Sequence, residues 1–280
     1  MNPVTEKYSI LKEIIGGYGS VLVAFSGGCD SALVAKVARD VLGRNKMRAV
    51  TSWSDSFPQA EVKEVNLFVE RYDIPHSWIE TREMRNVLYT NNPVNRCYYC
   101  KTELYDFLMP VAQTWALQRI ANGTQRDDLS DWRPGLDAAK EKMIRSPLLE
   151  AGLNKEEVRH MARMLELPTW NKPAAACLSS RIPHGEKVTA GKLRQIDEGE
   201  TILKAAGFRV VRLRHFGNHA RIEVAREEMP RFSYEPGLRH EIFSKIQALG
   251  FESVEIDPEG YRQGKLHTAE ISSANRPSFF

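Results

Sequence analysis

Apolar positions alternate between two rhythms through the first half of the chain. The run at 21–25, Val-Leu-Val-Ala-Phe, is short and unbroken, which predicts a strand buried on both faces. It ends at Ser26-Gly27-Gly28, a turn signal. Positions 31–42 then follow a helical period closed by Gly43, so a helix is predicted there. A second strand over 47–53 and a helix from Pro58 to about 72 follow, with Glu61, Lys63 and Glu64 marking the solvated face of the helix. Further strand segments at 76–80 and 117–121 continue the alternation. Such alternation predicts an α/β domain whose parallel sheet is covered on both faces. Ligands of these sheets bind at the carboxyl ends of the strands. The segments 26–31, 51–54 and 123–128 all fall at such ends, so three loops are expected to face one crevice.

From about Pro183 the pattern changes. A helix is expected over 189–206, with Gly207 as its stop signal. Strands are expected at 208–214 and 220–225 around the turn Phe216-Gly217-Asn218-His219. A helix over 241–249 and a strand over 253–256 complete a small α+β domain. The predicted division is 1–183 and 184–280, with 272–280 a loose tail.

Composition narrows the class. The 280 residues are 42% hydrophobic, and 14 Pro with 18 Gly exclude a collagen-like or low-complexity chain. A net charge of +3 is too slight to indicate nucleic-acid binding. The absence of any apolar run of about 18 residues argues against a transmembrane helix, and the start carries no apolar core of the signal-peptide type. Four cysteines are too few for a secreted disulfide scaffold, so a soluble cytoplasmic protein is expected.

The first chemistry-bearing motif is Ser26-Gly27-Gly28-Cys29-Asp30-Ser31, between a predicted strand and a predicted helix. Two glycines let the backbone approach an anion, and the helix N-terminus offers amides and positive partial charge. Ser26 and Ser31 add hydroxyls, and Asp30 is placed to hold Mg²⁺ or to cap the helix. The alternative is a capped turn without a ligand. The motif lacks the GxxxxGK[ST] pattern of a Walker A loop.

The second motif is Cys97-Tyr-Tyr-Cys100, with Cys177 far along the chain. A redox pair fits poorly, because the motif does not follow the first strand of a thioredoxin-like unit. Structural zinc takes four ligands, and Cys29 in the loop is an awkward fourth. Three thiolates suit three irons of a [4Fe–4S] cluster with one iron left open; three inert buried thiols are the other reading. Arg96 and Lys101 are expected to favour thiolate. Tyr98, Tyr99 and Tyr105 read as packing residues.

The loop resembles the SGGxDS pyrophosphate (PP) loop of the adenylating N-type ATP pyrophosphatases, which cut ATP between its α and β phosphates and transfer AMP. The resemblance implies that Ala24, Ser26, Gly27, Gly28, Asp30 and Ser31 bind ATP and that Ser52, Gly123 and Asp128 line the nucleotide crevice; Cys29 fills the variable position. Three longer motifs narrow it: Arg96-Cys-Tyr-Tyr-Cys-Lys-Thr-Glu-Leu-Tyr105, Asp127-Asp-Leu-Ser-Asp-Trp-Arg-Pro-Gly135 and Lys172-Pro-Ala-Ala-Ala-Cys-Leu-Ser-Ser-Arg-Ile182 together resemble the LarE family of ATP-dependent sulfurtransferases. The resemblance implies adenylation of a carboxylate of pyridinium-3,5-biscarboxylic acid mononucleotide, with Mg²⁺, and then its conversion to a thiocarboxylate for the nickel-pincer cofactor of lactate racemase. Some family members sacrifice the sulfur of the cysteine matching Cys177. Others hold a sulfide-carrying [4Fe–4S] cluster on cysteines matching Cys97, Cys100 and Cys177, and this sequence has that pattern. It further implies a homo-oligomer, a hexamer among the options, and a separate sulfide donor.

Arg212 and Arg214 alternate along a predicted strand and so share a face. The resemblance assigns Ser180, Arg181, Arg212 and Arg214 to a substrate phosphate, and Glu200 and Glu223 to the same pocket. The other reading is a solvated basic face paired with Glu198 and Glu200. Trp132, Arg133 and His184 carry weaker signals. The competing functions are a tRNA thiolation enzyme, an ammonia-using synthetase and a nucleotide-binding regulatory module without turnover.

Overall fold

In the computed structural model, which describes residues 3–130, 133–173 and 176–262, the first sheet is built around the apolar run of its central strand. The opening helix α1 (Pro3–Gly16) leads to β1 (Val21–Ala24), α2 (Cys29–Leu42), β2 (Met47–Trp53), α3 (Gln59–Arg71) and β3 (His76–Glu80). A single turn, α4 (Val87–Thr90), precedes the long α5 (Arg96–Thr114), then β4 (Arg119–Ala121), α6 (Gly135–Glu141), the one-turn α7 (Pro147–Glu150) and α8 (Lys155–Met164). The four strands pair in the order β3-β2-β1-β4, all parallel, with Val21 opposite both Met47 and Arg119. β1 is central and divides its side chains between two cores. Val21 and Val23 join Leu33, Val37, Phe68 and Met161 on one face, while Leu22 joins Leu104, Leu108 and Ala138 on the other. Burial on both faces is why its sequence is apolar without interruption.

The strand order reverses direction at β1, so the crevice between the β1 and β4 ends is the topological switch point at which open α/β sheets bind ligands. The α/β reading and its parallel sheet therefore hold. Several helices were not foreseen: α1, α5, α6 and α8, besides the single turns α4, α7 and Arg231–Tyr234. α5 contains Pro110, which reads as a helix breaker. α8 is short and polar on most of its surface, but it has a narrow buried stripe of Val158, Met161 and Ala162, and an Asn154/Glu157 capping box announces its start.

The chain divides into two compact units, Met1–Cys177 and Leu178–Phe280. The second unit opens with a 3₁₀ turn, Leu178–Arg181, and continues through α9 (Ala190–Ala205), β5 (Val211–Phe216), β6 (His219–Val224), the one-turn α10 (Arg231–Tyr234), α11 (Leu238–Gln247) and β7 (Ser253–Ile256). β5 and β6 form an antiparallel hairpin whose turn includes Gly217 at φ +61, and β7 adds parallel to β6. Leu203, Leu213, Ile222, Phe232 and Ile246 form its core. β5 begins at 211 rather than 208, because the Arg209 amide donates to the Glu228 carboxylate at 3.0 Å instead of to the ladder. α11 starts at Leu238, earlier than the expected 241. Trp132 and the expected tail at 272–280 lie outside the described residues. Among the described residues no helix is long and apolar enough to cross a membrane.

Candidate functional site: a phosphate loop with clustered thiols, and a buried arginine pocket

The first unit builds the loop tightly. Ala24 ends β1, and the chain turns at Gly27 with φ +74, where an added Cβ would lie 2.7 Å from Val65 Cγ2. The Ser26 and Ser31 hydroxyls stand 3.1 Å apart, the Ser31 hydroxyl accepts from the Ser26 amide at 3.2 Å, and it donates to the Gly28 carbonyl at 3.1 Å. α2 starts at Cys29 with Gly28 as its N-cap and no side-chain cap, so the amides of its first turn keep their donor capacity for a ligand. Asp30 therefore does not cap the helix; its carboxylate pairs with the Lys155 ammonium at 2.6 and 2.8 Å. Gly123, just past β4, comes so close to this helix start that a Cβ there would meet the Ser31 nitrogen at 2.8 Å. Two of the three expected loops thus meet at the switch point.

Asp128 closes a capping box with Gln125 and pairs with Arg133 at 2.5 Å. Ser52 lies half-buried on β2 opposite Ile79. Cys29 is buried, with its sulfur 4.0 Å from the Trp170 carbonyl, and burial raises its thiol to about 11, the behaviour of an inert packing residue. Lys172 heads the segment that leads to Cys177. Its ammonium donates to the Gly27 carbonyl at 3.2 Å, pairs with Glu64 at 2.7 Å and also pairs with Glu61, which fastens the phosphate loop to α3 and to the segment that leads to Cys177.

Cys97 and Cys100 sit three apart in the opening turns of α5, on one face. Their thiols share an electrostatic neighbourhood with Cys177, with Arg96 buried beside them. The cations were expected to favour thiolate. Desolvation outweighs them at Cys100, whose thiol is lifted to about 12, and raises Cys97 too, ahead of the Cys177 charge, although Cys97 keeps an exposed surface. The donor set is chemically right for a soft metal or an iron–sulfur cluster: three thiols with cationic neighbours to offset the charge. Yet among the described residues no group of three or more His, Cys, Asp or Glu is gathered to hold a metal ion. A buried polar knot lies nearby. Ser54 and Ser56 share a 2.9 Å hydrogen bond, Ser56 donates to Glu83 Oε1 at 3.1 Å, and Glu83 Oε2 is buried with no partner among the described residues. No sequence pattern singled this knot out, because its members meet only through the turns after β2 and β3.

The second unit brings all six expected pocket residues together. Arg181, 2% exposed, makes a fork to Glu200 at 2.7 and 3.0 Å and reaches the Ser180 hydroxyl at 3.0 Å. Glu200 also accepts from the Leu213 amide at 3.2 Å. Arg214 donates to Glu223 Oε2 at 2.8 Å and to the Ser180 carbonyl at 2.8 Å, while its Nε is buried without a partner among the described residues. Arg212 stands across the hairpin from Glu223 and donates to the Val211 carbonyl at 2.7 Å. Burial, and then the Arg181 charge, outweigh the pull of Glu200 and lower the Arg212 pKa. The arginines are therefore not a solvated basic face. They form a buried cluster of three guanidinium groups against the two carboxylates of Glu200 and Glu223.

The NAD synthase family model matches residues 7–96. An uncharacterized protein of Synechocystis is 43% identical over 261 residues, 93% of this chain and 97% of its own length. The pyridinium-3,5-bisthiocarboxylic acid mononucleotide synthase of Lactiplantibacillus plantarum is 34% identical over 247 residues, 88% of each chain. An uncharacterized protein of Methanocaldococcus jannaschii is 26% identical over 246 residues, covering 86% of this chain and 90% of its own length.

Proposed function

Because the chain belongs to the LarE family, we propose that it is an ATP-dependent sulfurtransferase that turns a carboxylate of pyridinium-3,5-biscarboxylic acid mononucleotide into a thiocarboxylate. The observation that carries this reading is the buried Arg181–Arg212–Arg214 cluster, in which Arg214 Nε has no partner among the described residues, an arrangement that suits the phosphate of a mononucleotide. The phosphate loop at the β1–β4 switch point supports ATP as co-substrate.

The chemistry needs activation, because a carboxylate resists nucleophiles. Its oxygen attacks the ATP α-phosphorus, pyrophosphate leaves, and an acyl adenylate results. Hydrosulfide then adds to the acyl carbon, the C–O bond to AMP breaks with its electron pair on the phosphate oxygen, and one proton is released. The amides of Gly28–Ser31 and the Ser26 and Ser31 hydroxyls hold the phosphates, and Lys155 and Lys172 offset their charge from beside the loop. Mg²⁺ would neutralise the charge building on the leaving pyrophosphate. Cys97, Cys100 and Cys177 would hold a [4Fe–4S] cluster, which when bound supplies an iron carrying exchangeable sulfide. Arg96 and Lys101 would offset the charge of its thiolates.

A second reading has its own support, since among the described residues the thiols are not gathered in metal-holding geometry. The Cys177 thiolate then attacks the acyl carbon and AMP leaves with the C–O electron pair; loss of the Cys177 Cα proton and cleavage of its Cβ–S bond leave dehydroalanine and release the thiocarboxylate. Iron and acid-labile sulfide per chain after anaerobic reconstitution separate the two. About four irons in the native protein, lost in Cys100→Ser, are expected for the cluster. Little iron in both, with Cys177 losing one H₂S in mass after reaction, would instead establish sacrifice. Pyrophosphate release independent of any pyridinium mononucleotide would overturn the substrate assignment.

A further inference from the structure

We infer that Tyr261 is a positioning residue of the arginine pocket: its ring carries the Arg212 guanidinium and sets the face that group turns toward a substrate phosphate. This rests on the phosphate reading given above. Arg212 Cζ stands 5.0 Å from the Tyr261 ring centroid, within cation–π range. A guanidinium on a long side chain otherwise has rotamers to spare, and Arg212 has its Nη1 already committed to the Val211 carbonyl at 2.7 Å. The ring fixes the plane of the group. Its π face also compensates a buried cation whose pKa is lowered by burial and by Arg181.

The fold goes to some length to place this ring. Beyond β7 the chain keeps pairing with β6: the Asp257 amide donates to the Ile222 carbonyl at 2.8 Å and the Tyr261 amide to the Val224 carbonyl at 2.8 Å. The intervening turn is pinned by the Glu259 amide on Asp257 Oδ1 at 2.9 Å and by Arg226 Nε on the Glu259 carbonyl at 2.9 Å. Gly260 takes φ +68, and a Cβ there would lie 2.9 Å from both Met229 sulfur and the Val224 carbonyl. The apolar core of the unit is built without Tyr261, so packing alone does not explain the ring.

The test is calorimetric titration of the full chain with nicotinate mononucleotide and with nicotinate riboside, which lacks the phosphate. Tyr261→Leu keeps apolar bulk and removes the π face. It should weaken mononucleotide binding about fivefold to tenfold, leave riboside binding unchanged, and have no further effect in an Arg212→Ala background. Tyr261→Phe should bind as the native protein does. Native-like binding by Tyr261→Leu, an equal loss for both ligands, or a loss in Tyr261→Phe as large as in Tyr261→Leu would each overturn the inference. A distinct result, with native protein and Arg214→Ala each binding the two ligands alike, would remove the phosphate reading itself, and this inference with it.

Discussion

Arg181 and Glu200 are a charge pair taken almost wholly out of water, and each is tolerable there only because of the other. Arg181→Met should therefore destabilise the protein by about 3–5 kcal/mol, measured by urea unfolding, because Glu200 is left buried with only the Leu213 amide. Replacing both partners by apolar residues of similar volume should recover most of that loss. His76 shows the same physics with a proton. Burial, beside Phe25 and Trp78, lowers its pKa to about 4, and its Nε2 lies 2.8 Å from the Thr51 hydroxyl. A folded pKa below the unfolded value means the unfolded chain binds the proton first. The stabilisation is thus complete above about pH 6.5 and is lost as pH falls toward 4. The native protein should lose about 2 kcal/mol over that window, and His76→Asn should lose less, read from unfolding midpoints at each pH. At this scale legibility was uneven. The alternation of Arg212 and Arg214 was visible along one strand, and the family resemblance added Ser180, Arg181, Glu200 and Glu223. Tyr261, Lys155 and Glu83 carry no local pattern, because their roles exist only where distant segments meet.

Between elements, the decisive contacts are places where a side chain would not fit. Gly199 of α9 faces Leu213 of β5 so closely that a methyl group would overlap Leu213 Cδ2. Gly199→Ala should cost about 1–3 kcal/mol by overpacking, seen as a lower denaturation midpoint. Gly123 keeps the end of β4 against the first turn of α2. Gly123→Ala should push the two apart and weaken ATP binding about tenfold, a loss of about 1.4 kcal/mol, by titration with a non-hydrolysable ATP analogue. Strands were the most legible elements: 47–53, 76–80 and 253–256 have the expected bounds, short β-branched and aromatic-bearing segments between turn residues. α5 was hidden by Pro110 and by a polar, cysteine-bearing first turn, so local pattern argued against a helix that tertiary packing of Leu104, Tyr105 and Leu108 makes stable.

For the whole molecule, the β3-β2-β1-β4 order explains why the glycine loop lies at the switch point beside β1, and the cluster of arginines belongs to a different compact unit. Mutations in the two should therefore act on different ligands. Arg214→Gln should abolish measurable binding of a pyridinium mononucleotide and leave ATP affinity within about twofold, whereas Gly123→Ala should do the reverse. Paired titrations of both variants check this. The alternation of strands and helices foretold the parallel sheet, but not which strand would lie beside β1 on its free side; that follows from where α5 packs, which sequence did not announce. One small contact has a reach beyond its size. The Lys172 ammonium is fastened to the Gly27 carbonyl, and Cys177 follows only five residues later. A chain of that length spans at most about 17 Å when fully drawn out. However its intervening residues are arranged, the sulfur-bearing residue is kept on a short leash whose peg is driven into the phosphate loop itself.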